Sequence, residues 1–354
     1  MSILEVPKVA IRGISACVPE GIERTVDIPF YSNEEASATI ASTGIVEKHV
    51  APDDVTASDL CILSAQTLLR DLDWDPSTVD ILCFVTQTPD YINHPDGFVA
   101  HKALGLKENC IVVDIFHGCP GWVMSLCTIS SLLSLGQFKR ALILAGDTLT
   151  KMNYKLSHES RPLFGDAGTA TGLEYDENAS PLAFEMGTDS ENGEALIRKK
   201  GAYREPFSPD TFSTHFELLQ GIRSVEEVDD NMDGMSVFAF GISKPPKSIK
   251  TLLTGKGITI EEIDKLILHQ ANKLIVDKIV KKLKVSEEKA PKGMTLYGNT
   301  ASASIPLAIV TECREEYENN KLRTVCCGFG TGLSWASAYF ETDHIKCPEL
   351  IIYR

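Results

Sequence analysis

A rhythm that runs through the chain twice constrains its fold more than any other feature. Short apolar runs of strand length alternate with stretches of helical spacing, and each series closes on a glycine-rich turn followed by a further strand. In the first series, Val79–Thr86 reads as a buried strand, Asp96–Leu104 as a helix and Cys110–Ile115 as a strand. Gly121–Leu135 then reads as a buried helix and Ala141–Gly146 as another strand. In the second, Lys244–Leu253 reads as a helix with Pro245 and Pro246 near its start, and Ile263–His269 as a strand. Ala271–Leu283 has helical spacing at Leu274, Ile275, Ile279 and Leu283, with lysines on the other face. Ser302–Tyr317 follows as a helix and Thr324–Gly330 as a strand. The closing turns are Phe164–Tyr175 and Gly328–Phe340.

Strands alternating with helices imply crossover units and an α/β fold with largely buried sheets. Two similar closures half a chain apart indicate duplication of one unit. The expected organisation is a first half over residues 1–175 and a second over 176–354. The stretch Asp176–Asp233 is polar, and it reads as loops and an insertion over the mouth of a site.

Bulk properties narrow the function classes. The formal charge, 34 − 49 = −15, argues against nucleic acid as a partner. No apolar stretch is long enough to span a bilayer, and the first residues lack a signal-peptide pattern. Of the ten cysteines, Cys61, Cys83, Cys110, Cys127, Cys326 and Cys327 lie inside apolar runs, where a thiol behaves as a small hydrophobe. No Cys-x-x-Cys pair occurs, so neither zinc nor a redox pair is expected, and no metal is assigned. A cytoplasmic, reduced protein is the expectation.

Three polar residues stand out at the ends of apolar runs: Cys119 in His-Gly-Cys-Pro-Gly, His269 in His-Gln-Ala-Asn, and Asn299 in Gly-Asn-Thr-Ala-Ser-Ala-Ser-Ile-Pro. A thiol at the first turn of a helix feels the unpaired N–H groups there, a field that lowers its pKa and favours the nucleophilic thiolate. His269 taken alone is equally a structural histidine, and Asn299 equally suits the cap of the helix near Ser302.

Together the three segments resemble the β-ketoacyl-acyl carrier protein synthase III family of the thiolase superfamily. Ser42–Ile45, Gly146-Asp-Thr148, Leu163–Asp166 and Gly328–Trp335 match in the same order. The resemblance implies a thiolase-like, duplicated, five-layered α-β-α-β-α fold and a homodimer. It also implies a two-stage acyltransferase reaction of fatty-acid or polyketide type. Cys119 takes an acyl group from acyl-CoA or acyl carrier protein, each acting as substrate rather than bound cofactor. Malonyl carrier protein then loses carbon dioxide and attacks the acyl-enzyme. In this reading His269 and Asn299 donate hydrogen bonds to the enolate oxygen. The backbone N–H groups of Cys119 and Thr331 form the oxyanion hole of the first stage.

The departures from the family concern substrate. Many members carry a Trp and an Arg that hold the adenine of coenzyme A, where this chain has Ala38 and Ser42. A carrier-bound acyl donor in a specialised pathway becomes the more plausible one. An arginine that docks the carrier is replaced by Leu274, and Lys247, Lys250, Lys273, Lys278, Lys281 and Lys282 supply a local basic cluster instead. The same lysines also fit a plain solvated helix face. The resemblance places His94, in Thr88–Pro95, where a partner subunit caps the acyl tunnel. Two alternatives on the same fold are an acyltransferase that passes the Cys119-bound acyl group to an alcohol or amine, and a non-catalytic partner subunit.

Overall fold

The computed structural model describes residues 3–152, 157–206 and 231–354. Two mixed sheets organise it. The first has six strands in the spatial order Ile351–Tyr353, Val9–Pro19, Asp166–Tyr175, Arg140–Thr148, Ile81–Thr86, Ile111–Phe116. The second has five, in the order Leu4–Val6, Leu182–Thr188, Ser334–Asp343, Lys321–Gly330, Lys265–Leu268. Four consecutive strands of each sheet share one pattern of pairing. Val9–Pro19, Asp166–Tyr175, Arg140–Thr148 and Ile81–Thr86 run antiparallel, antiparallel, then parallel. Leu182–Thr188, Ser334–Asp343, Lys321–Gly330 and Lys265–Leu268 do the same. This is the repeat that the glycine turns announce. The outer strands are exchanged: Leu4–Val6 extends the second sheet and Ile351–Tyr353 the first.

Side chains alternate across each sheet, and that alternation builds the layers. Ile81, Cys83, Val85, Ile143 and Ala145 face a central core together with Ile267, Cys326, Ala338 and Phe340 from the other sheet. Two helices fill that core, Gly121–Leu133 and Ser304–Asn319. Leu82, Phe84, Leu142 and Leu144 point outward against Ala57–Asp71 and Asp96–Leu104. On the far side Leu266, Leu268, Val325 and Cys327 pack against Gly234–Lys256 and Lys273–Leu283. The result is helix, sheet, helix, sheet, helix, the five-layered arrangement expected of a thiolase-like chain. Among the described residues no helix is long and apolar enough to cross a membrane.

Three local expectations need correcting. Within Asp176–Asp233, read as loops, Leu182–Thr188 is an inner strand of the second sheet, and Leu196–Ile197 pairs with Asn231–Met232. Residues 207–230 of that stretch lie outside the described residues. Pro245 and Pro246 stand inside a helix that starts ten residues earlier than expected, at Gly234. A proline cannot donate to the carbonyl four residues back, and the carbonyl that Pro246 frees, Ile242 O, accepts from Lys282 Nζ at 3.0 Å. Leu274 is exposed, because the buried stripe of its helix is Ile275, Val276, Ile279, Val280 and Leu283. Leu274 sits one step, or about 100°, off that stripe.

Trp122 spans the central layer. It is fully buried, its Nε1 donates to Thr171 Oγ1 of the first sheet at 3.0 Å, and its ring meets Phe340 of the second edge-on at 6.4 Å. Trp122→Ala is expected to lower the unfolding free energy by about 3–5 kcal/mol, read from urea denaturation. A loss well under 1 kcal/mol would show that the layers hold without it.

Candidate active site

Cys119 lies in the turn between Ile111–Phe116 and the helix Gly121–Leu133, with Gly121 N–H closing the turn on Gly118 O at 2.8 Å. His269 follows the strand Lys265–Leu268. Asn299 precedes the short turn Ala301–Ala303 that leads into the helix Ser304–Asn319. All three open on one cavity of about 300 Å³, otherwise lined mainly by apolar side chains such as Phe116, Leu149, Phe164 and Phe329. Thr331 borders the same cavity.

The second sheet presses closely on the sulfur. A Cβ at Gly330 would stand 2.8 Å from Cys119 Sγ, so any side chain there would collide with it. This closeness reverses one expectation. The thiol is not lowered by its helix; burial pushes it up to about 12, and the charge of Asp147 pushes the same way. Hydrogen bonds from the backbone of Cys119 and of Thr331 oppose this without overcoming it. Removing a charge from water costs more than one helix end returns. The resting sulfur is therefore a thiol, and Thr331 borders the same cavity.

His269 is also governed by burial. Its imidazole is 1% exposed, and burial pulls it down to about 3. Its Nδ1 lies 2.7 Å from Ser304 Oγ, and its ring meets Phe329 edge-on at 5.3 Å. With the Ser304 hydroxyl donating to Nδ1, the ring proton sits on Nε2, and the neutral ring offers the cavity one donor.

Asn299 is fixed through its backbone. Its N–H donates to Leu163 O at 2.8 Å, and its carbonyl accepts from Gly165 N–H at 3.1 Å. The preceding Gly298 has φ +65°, and a Cβ there would lie 2.9 Å from Leu163 O. Only glycine suits that crossing. Asn299 Oδ1 accepts from Ala301 N–H at 3.0 Å. The side chain thus caps the short turn, as a structural reading expects, and its amide Nδ2 stays available as a donor.

Of the other residues of the His-Gln-Ala-Asn motif, Ala271 and Asn272 also border the cavity, while Gln270 and Asn272 brace the backbone. Gln270 donates from Nε2 to Leu268 O at 2.7 Å, and its Oε1 accepts from Met294 N–H at 3.3 Å. Asn272 caps the next helix by accepting from Ile275 N–H at 2.9 Å. His94 does not line this cavity; it is exposed in its loop, edge-on to Tyr91 at 6.2 Å. All six lysines of the basic cluster are exposed. Lys247, Lys250 and Lys282 border one surface hollow of about 570 Å³, and Lys273 pairs with Asp277 at 2.6 Å. Ser304, Gln87 and Asp147 were not singled out as functional in the sequence. Ser304 and Asp147 lie within quoted motifs, whereas no local signal points to Gln87.

Two facing sheets with a buried cysteine at the start of a central helix define a thiolase-type acyl-transferring protein. Residues 113–190 match the family model for 3-oxoacyl-(acyl-carrier-protein) synthase III, and residues 253–342 match the model for its C-terminal part. A β-ketoacyl-(acyl-carrier-protein) synthase III of Streptococcus equi is 32% identical over 303 residues, covering 83% of this chain and 87% of that protein. One from Desulfitobacterium hafniense is 30% identical over 334 residues, covering 93% and 96%. The crystal structure of a 3-oxoacyl-(acyl-carrier protein) synthase from Burkholderia xenovorans superposes with a TM-score of 0.92 at 30% identity, covering 99% of each chain. The chain belongs to the β-ketoacyl-acyl carrier protein synthase III family.

Neutral burial of His269 has a measurable consequence. Its native pKa is about 3 against an ordinary value of 6.5, so the unfolded chain binds the extra proton first. The stabilising contribution is complete above pH 6.5 and shrinks as pH falls from there towards about 3. His269→Gln is expected to flatten the fall in urea-unfolding free energy across that window. An unchanged slope would mean that the ring titrates normally in the native protein.

Proposed function

We propose that this protein is a condensing enzyme of the synthase III type. It loads an acyl group onto Cys119 and joins it to a malonyl unit carried on acyl carrier protein. The observation that carries this reading is the convergence of a buried thiol, a neutral imidazole and a carboxamide on one apolar cavity.

In the first stage the Cys119 sulfur attacks the thioester carbonyl. The C–S bond to the donor breaks, and the thiol proton leaves with the donor's sulfur. In this reading the N–H groups of Cys119 and Thr331, both at the cavity, receive the oxyanion. In the second stage the malonyl thioester loses carbon dioxide, and its electron pair passes into the thioester enolate. His269 Nε2–H and Asn299 Nδ2–H donate to that oxygen. The enolate carbon bonds to the acyl carbonyl, and Cys119 leaves as a thiolate that regains a proton. A neutral histidine can fill this role, because its Nε2–H donates a hydrogen bond while the ring stays uncharged. The acyltransferase alternative makes no use of two donors aimed at an enolate.

A carrier-borne acyl donor is favoured because Ala38 and Ser42 sit exposed on the helix Asn33–Thr43 and present neither an aromatic face nor a cation. Such a donor suits a specialised fatty-acid or polyketide-type pathway. The exposed lysines on Gly234–Lys256 and Lys273–Leu283 suit docking of an acidic carrier. A homodimer is supported by Ile111–Phe116, which among the described residues is paired on one edge only. Beside that edge, Tyr91, Ile92, Phe98 and Phe116 are 61%, 80%, 50% and 78% exposed, an apolar patch that a second copy would cover. His94, in the same patch, would then face the partner's tunnel. Ten buried thiols fit a reducing, cytoplasmic setting.

Intact-protein mass spectrometry tests the reaction. An adduct on Cys119 should form from acyl carrier protein more readily than from acyl-CoA and disappear as β-ketoacyl product forms on a malonyl carrier chase. Cys119→Ser should abolish the adduct. His269→Ala and Asn299→Ala should each cut condensation roughly 10²–10³-fold while sparing acylation more. An adduct that survives the chase but leaves with an alcohol or amine would establish the acyltransferase instead. Lys278→Glu with Lys281→Glu should raise KM for the carrier about tenfold with kcat kept; unchanged kinetics would leave those lysines as a solvated face.

A further inference from the structure

Asp147 is the best-connected buried carboxylate beside the cavity, and the reaction above assigns it nothing. It is the penultimate residue of Arg140–Thr148 and is fully buried. Its Oδ1 accepts from Gln87 N–H at 2.8 Å, Thr86 Oγ1 at 3.1 Å and Thr88 Oγ1 at 3.3 Å. Its Oδ2 accepts from Ser302 Oγ at 2.5 Å and Ser302 N–H at 3.2 Å. One oxygen therefore holds a segment of the first half, and the other holds a segment of the second.

Both segments end at reacting groups. Ser302 lies between Asn299, whose Oδ1 is bonded at Ala301, and Ser304, whose hydroxyl meets His269 Nδ1. On the other side the Gln87 side chain rests on the residue before the nucleophile, since a Cβ at Gly118 would stand 2.8 Å from Gln87 Oε1. We infer that Asp147 is a positioning residue that clamps the enolate donors His269 and Asn299 to the nucleophile's turn. This rests on the condensing reading above.

The clamp needs a carboxylate. Each oxygen faces donors only, and an amide in its place would turn an NH₂ group against one of the two sets. The negative charge has a cost at the nucleophile, because it raises both Cys119 and the neighbouring Cys61. Burial lifts Asp147 itself to about 6, with the bonds from Ser302, Gln87 and Thr86 holding it down. Other titratable groups near this clamp are His269, held neutral, and His117, lowered by burial. Positioning and thiol reactivity therefore pull in opposite directions, which gives the inference a signature that a loss of packing lacks.

The test compares the native sequence, Asp147→Asn and Ser302→Ala in two assays, iodoacetamide labelling of Cys119 in the resting protein and transfer of a preloaded acyl group to malonyl carrier protein. Asp147→Asn should label several-fold faster near neutral pH, because the charge is gone, and condense roughly 10²-fold more slowly, because the donors shift. Ser302→Ala keeps the charge, so it should label at the native rate and still condense about tenfold more slowly. Slower labelling and slower condensation together in Asp147→Asn, or full condensation in either variant, would overturn the inference. Should Asp147→Asn fail to fold, Ser302→Ala decides alone. Absence of condensation in the native protein would instead sink the condensing reading, and the labelling result would not change that.

Discussion

The structure depends on how closely its two central helices bring their starts together. Gly121–Leu133 and Ser304–Asn319 lie in one layer between the sheets, and a Cβ at Gly121 would stand 3.8 Å from the Cβ of Ser302. Small residues also let the strand Lys321–Gly330 reach the nucleophile's turn. A Cβ at Gly328 would fall 2.6 Å from Pro120 Cα, and one at Gly330 would fall 2.8 Å from the sulfur of Cys119. The central helices thus deliver Cys119 and Asn299 to the same end of the molecule. The strand Lys265–Leu268, beside Lys321–Gly330, delivers His269 to the same place.

The same enclosure governs the site's electrostatics. Burial raises Cys119, raises Asp147 and lowers His269, in each case opposing the charged form. A thiol and an imidazole both kept neutral suit chemistry in which charge appears only transiently on a substrate oxygen. Preoriented donors act most strongly at such a point, because little water is present to compete with them. The hydrogen bonds that set their directions, from Ser304 to His269 and from Ala301 N–H to Asn299, come from one short segment. Asp147 holds that segment from the other half of the chain.

Much of this was legible in the residues. The alternation of Leu82 and Phe84 with Ile81, Cys83 and Val85 foretells a sheet covered on both faces, and the two glycine turns foretell the repeat. The motifs around Cys119, His269 and Asn299 single out three side chains that the fold brings to one cavity. The strand Leu182–Thr188 was missed because only its first residues are buried among apolar neighbours, while Glu185, also buried, reads as surface in sequence. Glu185 is accommodated by Trp335 Nε1, which lies 150 positions away. The thiol's direction was misread because a helix start is a local feature, whereas the burial that outweighs it is produced by folding.

The sequence by itself determined the alternation of buried strands and helices and its repetition, and its motifs singled out Cys119, His269 and Asn299, since these signals lie in periodicities and short motifs that neighbouring residues carry. Tertiary structure alone decided the burial that keeps Cys119 and His269 neutral, the contact of Ser304 Oγ with His269 Nδ1, and the bond from Asp147 to Ser302 across 155 positions. Burial and hydrogen-bond geometry at a site are sums over atoms brought together by folding, and no stretch of sequence contains that sum.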